Sequence, residues 1–422
     1  MQVKINKAFL LSALAAAIAM PSVTQAAFVE DSSGSLSLRN FYMNRDFRES
    51  GKPGGPIHKS KNQSKAEDWG QGFMLRLQSG YTEGTVGLGV DALGLVGVKL
   101  DSGGGTGGTG TLVRSRSTGK SAGTHGFLGL TGKAKIANTV LSIGTHEPTL
   151  PVIFRNDTRL LPQTFEGGQI QSKDIEHLTL TAGQFRKVRS RDSTNYEDLS
   201  MYSHGSTGGV RSNRFNYAGA SYNFTPSLSG TYFYAELKDN YSQHHANVQY
   251  ATDLTDTLKF KMNLRHFNSS DKGNTNVDNR LTSGTFSLGY QSHWLSLGYQ
   301  DSSGKTGLPI LGGATDPWVA NIATYQTFIN AKEDSWQARY DYNFGQLGLP
   351  GLNFMARYIS GDNFKVGGVS AKEWERDIDI GYTIQSGPLK DLGLMVRNVM
   401  YRGSQTTDVD ENRVIVNYTF KF

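Results

Sequence analysis

Hydrophobic and polar positions alternate along much of this chain, most clearly at its C-terminus. Within residues 413–422 the apolar residues share one parity and most polar residues share the other. Because successive side chains of a strand point to opposite faces, this pattern predicts a β-strand. In a barrel wall immersed in lipid the polar face lines an aqueous lumen, so Arg413 and Lys421 are expected to face a channel. A soluble strand with one buried face would show the same local pattern.

The alternation recurs along the whole chain. In each segment the apolar residues keep one parity, and charged residues fall almost always on the opposite face. The pattern predicts about 18 strands, near residues 34–43, 72–79, 85–101, 125–135, 139–145, 175–184, 196–202, 215–224, 228–237, 245–251, 258–267, 283–290, 294–301, 335–344, 352–360, 376–385, 392–402 and 412–422. An even number of strands is typical of a bacterial barrel with both chain ends on one side.

The predicted connections alternate in length, which supports a membrane barrel. Long connections are expected at 44–70, 102–124, 146–174 and 302–334, and short ones at 80–84, 136–138, 225–227, 252–257 and 291–293. Short periplasmic turns and long external loops are typical of outer-membrane barrels. The intermediate connection 185–195 fits the pattern poorly. The sequence therefore predicts an all-β fold, a single 18-stranded antiparallel transmembrane β-barrel.

The N-terminus has the features of a secretory signal peptide. Lys4 and Lys7 precede the apolar run 8–20, and small residues follow near 24–26. The apolar run is shorter than the roughly 20 residues that a membrane-spanning helix needs. Cleavage is expected after Ala26, which divides the chain into a signal peptide, residues 1–26, and an outer-membrane barrel domain, residues 27–422.

Composition narrows the possible classes further. The chain has 50 glycines, 21 phenylalanines and 19 tyrosines, and its hydrophobic content of 37% is low for a bundle of membrane helices. The absence of cysteine excludes disulfides, zinc-thiolate sites and thiol nucleophiles. The formal charge of +6 includes two signal-peptide lysines. We find no block of basic residues of the kind that binds nucleic acid.

Motifs for cofactors are weak. Gly103, Gly105 and Gly108 match a dinucleotide-binding spacing, but without a strand-to-helix context they indicate a flexible surface loop. Residues 119–121 resemble the end of a phosphate-binding loop, yet Arg114 stands where the first glycine belongs. The nine histidines are scattered. We therefore expect no cofactor, no metal and no nucleic-acid partner.

The connection 146–174 carries the most information about function. It combines apolar residues and three prolines with Arg155 and Arg159. Such a loop is expected to fold into the lumen and pack its apolar residues on the wall. Its arginines would then line the narrowest point, where a low local dielectric strengthens their attraction for anions. Alternatively, they pair with Asp157 or with wall carboxylates and only hold the loop in place.

Basic side chains with lumen parity recur along the wall. They outnumber the carboxylates that share that parity, and they include Arg76, Lys99, Lys259, Lys261, Arg265, Arg339, Arg357 and Arg413. Many are expected to form ion pairs across the lumen. A series of arginines could also act as successive weak sites, because conduction requires sites that attract an ion and release it.

The chain resembles the OprD family of substrate-specific outer-membrane channels, the Occ porins of pseudomonads. The resemblance covers nearly all of the chain after the signal peptide. It rests on residues 28–32 (FVEDS), 38–46 (LRNFYMNRD), 79–87 (SGYTEGTVG), 97–101 (GVKLD), 156–165 (NDTRLLPQTF), 335–342 (SWQARYDY), 348–352 (GLPGL), 385–388 (QSGP) and 411–413 (ENR). The segment 156–165 matches the inward-folded constriction loop of the family.

This resemblance implies a mostly monomeric barrel that passes small carboxylates along a series of basic residues, the basic ladder. By motif position, Arg39, Arg397 and Arg413 correspond to ladder members and Arg159 to the constriction. Strand parity independently places Arg413 in the lumen but leaves Arg397 ambiguous. Two further positions that are basic in some relatives appear here as Met395 and Gly381. The thinner ladder argues against basic amino acids and leaves other organic acids open.

The favoured function is passive, carboxylate-selective diffusion across the bacterial outer membrane. The substrates would be small nutrients, namely organic or aromatic acids or amino acids, and the pore-lining residues would be Arg39, Arg155, Arg159, Arg397 and Arg413. The expected partners are outer-membrane lipid and lipopolysaccharide, with the protein a monomer or a weakly associated oligomer. The alternative is a barrel hydrolase with a site near the external rim. A third possibility is a general porin of low selectivity.

Overall fold

A computed structural model describes residues 25–48, 63–103, 105–115, 117–273, 275–312 and 315–422. Nearly all of the predicted signal peptide, 1–26, lies outside these residues. The described chain starts with a short helix, Gln25–Glu30, and a 3₁₀ turn occurs at Phe344–Leu347. Within the described ranges, no helix has the length and apolar content needed to cross a membrane.

Eighteen strands form one antiparallel sheet, and we name them β1 to β18 in chain order. Their bounds are Ser33–Phe47, Lys65–Gln78, Gly87–Asp101, Thr124–Ile136, Thr139–His146, Thr164–Ser172, Leu178–Arg189, Phe215–Asn223, Leu228–Leu237, Tyr241–Asp253, Leu258–Asp271, Asp278–Tyr290, His293–Gly304, Asp334–Asn343, Leu352–Val366, Val369–Thr383, Gly393–Gly403 and Val409–Lys421.

The sheet closes on itself because β1 pairs with both β2 and β18. Arg39 in β1 lies opposite Gly72 in β2 and Asn417 in β18. Closure leaves the wall without a free edge, which satisfies the backbone hydrogen bonds of strands that stand in lipid. The all-β fold and the 18-stranded antiparallel barrel are thus confirmed.

The two faces of the wall differ as the alternation predicts. Outward-facing residues are apolar and exposed; Leu128 in β4 is 70% exposed and Ile143 in β5 is 61% exposed. Inward-facing residues include buried charges such as Glu411 and Arg413 in β18. An apolar outer band around a polar interior is the arrangement that a transmembrane barrel requires.

One predicted strand is wrong and one strand was missed. The predicted segment 196–202 contributes only the two-residue pieces Glu197–Asp198 and Met201–Tyr202, which belong to a loop. The missed strand is β6, Thr164–Ser172, which lay within the predicted connection 146–174. Its Gly167 and Gly168 carry no side chains, and its register shifts at Glu166 and Gly167. This irregularity hides the alternation, and the two errors cancel in the count.

The correction also accounts for the intermediate connection. Residues 185–189 end β7, and the connection that follows is the long β7–β8 loop, 190–214. Among the described residues, three more long loops leave the barrel at the same end: the β3–β4 loop, 102–123, the β5–β6 loop, 147–163, and the β13–β14 loop, 305–333. Most of the predicted long connection 44–70 lies outside the described residues, and its two ends, 44–47 and 65–70, belong to β1 and β2. Every turn at the opposite end is short, from 79–86 to 384–392.

The long loops pack into the lumen. Ile153 of the β5–β6 loop contacts a buried aromatic cluster that includes Phe185 and Tyr217. Leu160 of the same loop packs with Phe41 and with Leu112 of the β3–β4 loop. In the predicted surface loop at 103–108, Gly103 and Gly105 are exposed, whereas Leu112, which follows this stretch, is fully buried.

Candidate pore constriction

A cavity of about 810 Å³ lies inside the barrel between three loops and the wall. The β5–β6, β7–β8 and β13–β14 loops enclose one side, and β15, β17 and β18 form the other. Among the described residues, the cavity lining contains five guanidinium groups, from Arg159, Arg191, Arg357, Arg397 and Arg413, and a single carboxylate, Asp316. The side chains that surround this space therefore favour an anion.

Two wall arginines have their own carboxylates. Arg397 in β17 forms a bidentate ion pair with Asp379 in β16. Arg357 in β15 pairs with Asp377 and also donates a hydrogen bond from Nη1 to the Ile322 carbonyl at 2.7 Å. The structure thus resolves the ambiguous parity of Arg397, whose side chain lines the lumen.

Arg413 is the most deeply buried of the five arginines, with 1% of its surface exposed. It donates from Nε to Glu411 at 2.5 Å, and Arg45 donates to the other oxygen of Glu411 at 2.7 Å. Its remaining nitrogens donate to the carbonyls of Thr158, at 3.4 Å, and Thr324, at 3.3 Å. Arg413 therefore connects the wall to the β5–β6 and β13–β14 loops at once.

Arg39 also holds the β5–β6 loop. Its Nη1 donates to Asp157 Oδ1 at 2.8 Å and to the Arg159 carbonyl at 2.6 Å, and its Nε donates to Asn417 at 3.2 Å. The Asp157 pairing considered for the loop arginines is thus made by a wall arginine instead.

Arg159 and Arg191 differ from the wall arginines because neither pairs with a carboxylate among the described residues. Arg159 Nε donates to the Thr109 carbonyl at 3.2 Å, and Arg191 Nη1 donates to Thr158 Oγ1 at 3.2 Å. Burial, followed by the charges of Arg413 and Arg191, lowers the pKa of Arg159 well below its usual value. An anion in the cavity would relieve this repulsion.

Arg155 has a different environment from Arg159, although the two lie in one loop. Its Nε lies 3.4 Å from Glu147 Oε1 and its Nη1 donates to the Glu147 carbonyl at 3.3 Å. Arg76 in β2 forms a bidentate pair with the same carboxylate. Arg155 does not line the cavity; it contacts Glu147 within its own loop, and Arg76 connects that glutamate to the wall.

The β13–β14 loop is fixed by a row of buried carboxylates on β16. Glu375 accepts hydrogen bonds from the backbone N–H groups of Tyr325 and Gln326, both at 2.8 Å. Asp377 accepts from the Thr324 hydroxyl at 2.9 Å, and Glu373 accepts from the Gln326 side chain at 2.8 Å. These hydrogen bonds to three side chains of one strand hold the loop tip against the wall.

We expect Glu375→Ala to loosen the loop tip without unfolding the barrel. The change removes two hydrogen bonds that backbone N–H groups donate to Glu375, each worth about 0.5–1.5 kcal/mol. The open population of the loop should therefore rise by about tenfold or more. Hydrogen exchange at Tyr325 and Gln326 measures it. Glu375→Gln keeps an acceptor and should change exchange less, whereas equal exchange in all three proteins would contradict this role.

The loops also contact one another. Asn156 donates to Asp316 Oδ1 at 2.9 Å, and the rings of Phe154 and Trp318 lie 5.0 Å apart between centroids. Apolar residues of the β7–β8 and β13–β14 loops, including Met201, Leu311 and Ile322, line the cavity beside the arginines. The space therefore offers both cations and an apolar surface.

Sequence reasoning found part of this site. It identified Arg159, Arg397 and Arg413, which line one cavity, and Arg39, which contacts the same loop. It missed Arg191 because 185–195 was interpreted as a connection between strands rather than as the start of a long loop. The basic run from Arg186 to Arg191 was the available signal.

Comparison with known proteins places the chain in a family. Residues 26–422 match the family described as outer membrane porin, OprD family. The porin-like protein GalP of Pseudomonas putida is 38% identical over 96% of both chains. Pseudomonas aeruginosa OccK9 (OpdG) is 42% identical with a TM-score of 0.88, covering 94% of this chain and all of that one. Pseudomonas aeruginosa OpdK, solved with vanillate, is 37% identical with a TM-score of 0.86 and the same coverage.

These relatives are channels, not enzymes, which excludes the alternative of a barrel hydrolase. They locate the barrel in the bacterial outer membrane, where lipid surrounds its apolar outer band. The long loops accordingly lie on the external side and the short turns on the periplasmic side. The chain belongs to the OprD family of outer membrane porins.

Proposed function

We propose that the protein lets small carboxylates with an apolar or aromatic body diffuse passively through the outer membrane. The observation that carries this proposal is the pair Arg159 and Arg191, which line the cavity without a carboxylate partner in the described structure. A cation in a partly dehydrated site attracts an anion more strongly than it would in water. The apolar residues of the cavity lining suit a hydrocarbon body.

The wall arginines would guide the anion to and from this point. Arg39, Arg397 and Arg413 each have a carboxylate or amide partner, so each offers an anion a weaker hold than an unpaired guanidinium would. Conduction requires sites of moderate strength, because an ion that binds too tightly blocks the pore. Arg155 would contribute through the shape of the loop. The carboxylate in OpdK with vanillate is aromatic, which is consistent with this substrate class.

Liposome swelling tests the selection of the carboxylate group, apart from the apolar body, with two solutes of matched size. Proteoliposomes should swell faster in isotonic glucuronate than in isotonic glucose, because only glucuronate carries a carboxylate for the arginines. Equal swelling rates would indicate a general porin.

We also propose that the protein works as a monomer or a weakly associated oligomer in contact with lipopolysaccharide, since one chain supplies the whole cavity lining.

Permeation should depend on pH through Asp316. Burial raises the pKa of this loop carboxyl to about 6, although Arg191 and Arg159 act in the opposite direction. As the pH falls through 6 the carboxyl gains a proton and loses its charge, so the cavity becomes more positive.

We therefore expect chloride permeability relative to potassium to rise between pH 7.5 and pH 5. The measurement is the reversal potential in a planar bilayer. The Asp316→Asn protein should have, at both pH 7.5 and pH 5, the higher relative chloride permeability that the unaltered protein has at pH 5. A variant that keeps the full pH dependence would assign the titration to another group.

A further inference from the structure

A second cavity, of about 500 Å³, lies in the lumen next to the constriction. The inner faces of β11 to β15 and residues of the β13–β14 loop line it. Arg357 and Ile322 line this cavity as well as the constriction cavity, so the two spaces adjoin. Lys261 and Trp294 lie near the periplasmic ends of β11 and β13. An anion that leaves the constriction toward the periplasm would enter this second space.

Four cations line the second cavity, and they fall into two kinds. Arg339 pairs with Asp341 through two hydrogen bonds, at 2.8 and 2.7 Å, and Arg357 pairs with Asp377. Lys261 and Arg265 form no ion pair with a carboxylate in the described part of the chain. The excess positive charge of the cavity therefore comes from these two residues of β11.

Lys261 rests against an aromatic ring rather than an anion. Its Nζ lies 4.1 Å from the centroid of the Trp294 ring, and the residue is exposed on the lumen face of β11. The contact positions the ammonium group and leaves its charge available. Lys259, two residues earlier on the same face of β11, lies 3.4 Å from Asp253 and is a matched comparison.

Arg265 is more enclosed than Lys261. Its Nε is buried and has no hydrogen-bond acceptor among the described residues, and the same is true of Trp318 Nε1. The guanidinium carbon lies 6.0 Å from the centroid of the Trp318 ring. Buried donors without acceptors are costly, so the unpartnered Arg265 Nε, in a cavity that the uncompensated Lys261 also lines, indicates that this place accommodates an acceptor.

We propose that Lys261 and Arg265 form a second anion-binding subsite, on the periplasmic side of the constriction, which takes the carboxylate of the permeating anion after it passes Arg357. Only the identity of the anion rests on the proposed function. The hydroxyls of Thr285 and Ser287 line the same space and can donate to the carboxylate, while Val319 and Ile322 supply apolar surface for its body. A second site lowers the barrier to leaving the first, because conduction proceeds by exchange between neighbouring sites.

Crystals soaked in 4-bromobenzoate provide a direct test, since bromine is located by its anomalous signal. The full chain should show one bromine site in the constriction cavity and another within reach of Lys261 and Arg265. Lys261→Gln/Arg265→Gln should lose the second site and keep the first. A constriction site alone in the unaltered protein would overturn the subsite and leave the proposed function standing. Bromine in neither cavity would contradict both proposals.

Planar bilayers test the same pair during conduction. Lys261→Gln/Arg265→Gln should lower benzoate permeability relative to potassium by about tenfold, whereas Lys259→Gln should leave it close to that of the unaltered protein. The single change Lys261→Gln, at a lumen-exposed position, covers the case in which the double variant fails to fold, and it should give a smaller decrease. Equal permeability in folded Lys261→Gln and Lys259→Gln proteins would overturn the subsite.

Discussion

Replacing Arg159 and Arg191 together with alanine is expected to abolish most of the anion selectivity of the channel. These are the cavity-lining arginines that pair with no carboxylate in the described structure. At an effective dielectric constant near 20, a unit positive charge about 5 Å from an anion attracts it with an energy of about 3 kcal/mol. Each lost arginine should therefore lower benzoate permeability relative to potassium by about tenfold or more, measured as a reversal potential under a salt gradient.

Arg155→Ala is the matched control for this experiment. It removes the same charge from the same loop, but its guanidinium lies against Glu147 and outside the cavity lining. We expect a small change in selectivity, together with a looser loop. If Arg155→Ala lowered benzoate permeability as much as the double variant does, the unpaired arginines would not be the selective element. Preserved selectivity in a folded double variant would contradict their role directly.

Arg413→Ala should give the second large effect, a wider and less selective pore. The change removes the hydrogen bonds from the wall to Thr158 and to Thr324, which lie in two different loops. It also leaves Glu411 with Arg45 as its remaining ion-pair partner. Breaking a buried ion pair lowers the free energy of unfolding by about 3–5 kcal/mol. Because Arg45 still pairs with Glu411, we expect a decrease at the lower end of that range. Single-channel conductance should rise severalfold as both loops move away from the wall.

Arg413→Lys separates the charge from the geometry. Lysine keeps the positive charge but cannot contact Glu411 and both loop carbonyls with one rigid fork. We expect intermediate conductance and partly retained selectivity. Both variants should still form the folded barrel. A difference in gel mobility between unheated and heated samples of each variant would show this. Unchanged conductance in Arg413→Ala would contradict the role of this residue in holding the loops.

The wall could be predicted well because strand alternation is a local property. The parity of β18 placed Arg413 in the lumen, and the parity of β15 did the same for Arg357. A barrel in lipid imposes apolar residues on its outer face along nearly every strand, so the pattern repeats. The alternating pattern fails in β6, because Gly167 and Gly168 interrupt it and Ile170 is the one large apolar residue on the outer face of this strand.

The partners of the arginines could not be predicted in the same way. Arg155 and Arg159 lie four residues apart in one loop, and nothing local separates the residue that pairs with Glu147 from the one that lines the cavity. Their environments depend on contacts with Thr109 and Arg76, which are distant in sequence. The same holds for Arg191, whose place in the cavity follows from the fold of the β7–β8 loop.

Single-channel recording of the unaltered protein tests the central claim most directly. A planar bilayer under a salt gradient would receive sodium benzoate in one experiment and benzamide, its neutral counterpart of nearly the same shape, in another. We predict an anion-selective reversal potential and a small conductance that benzoate interrupts and benzamide does not. A large conductance that responds equally to both compounds, or a cation-selective reversal potential, would contradict carboxylate selection by the constriction arginines.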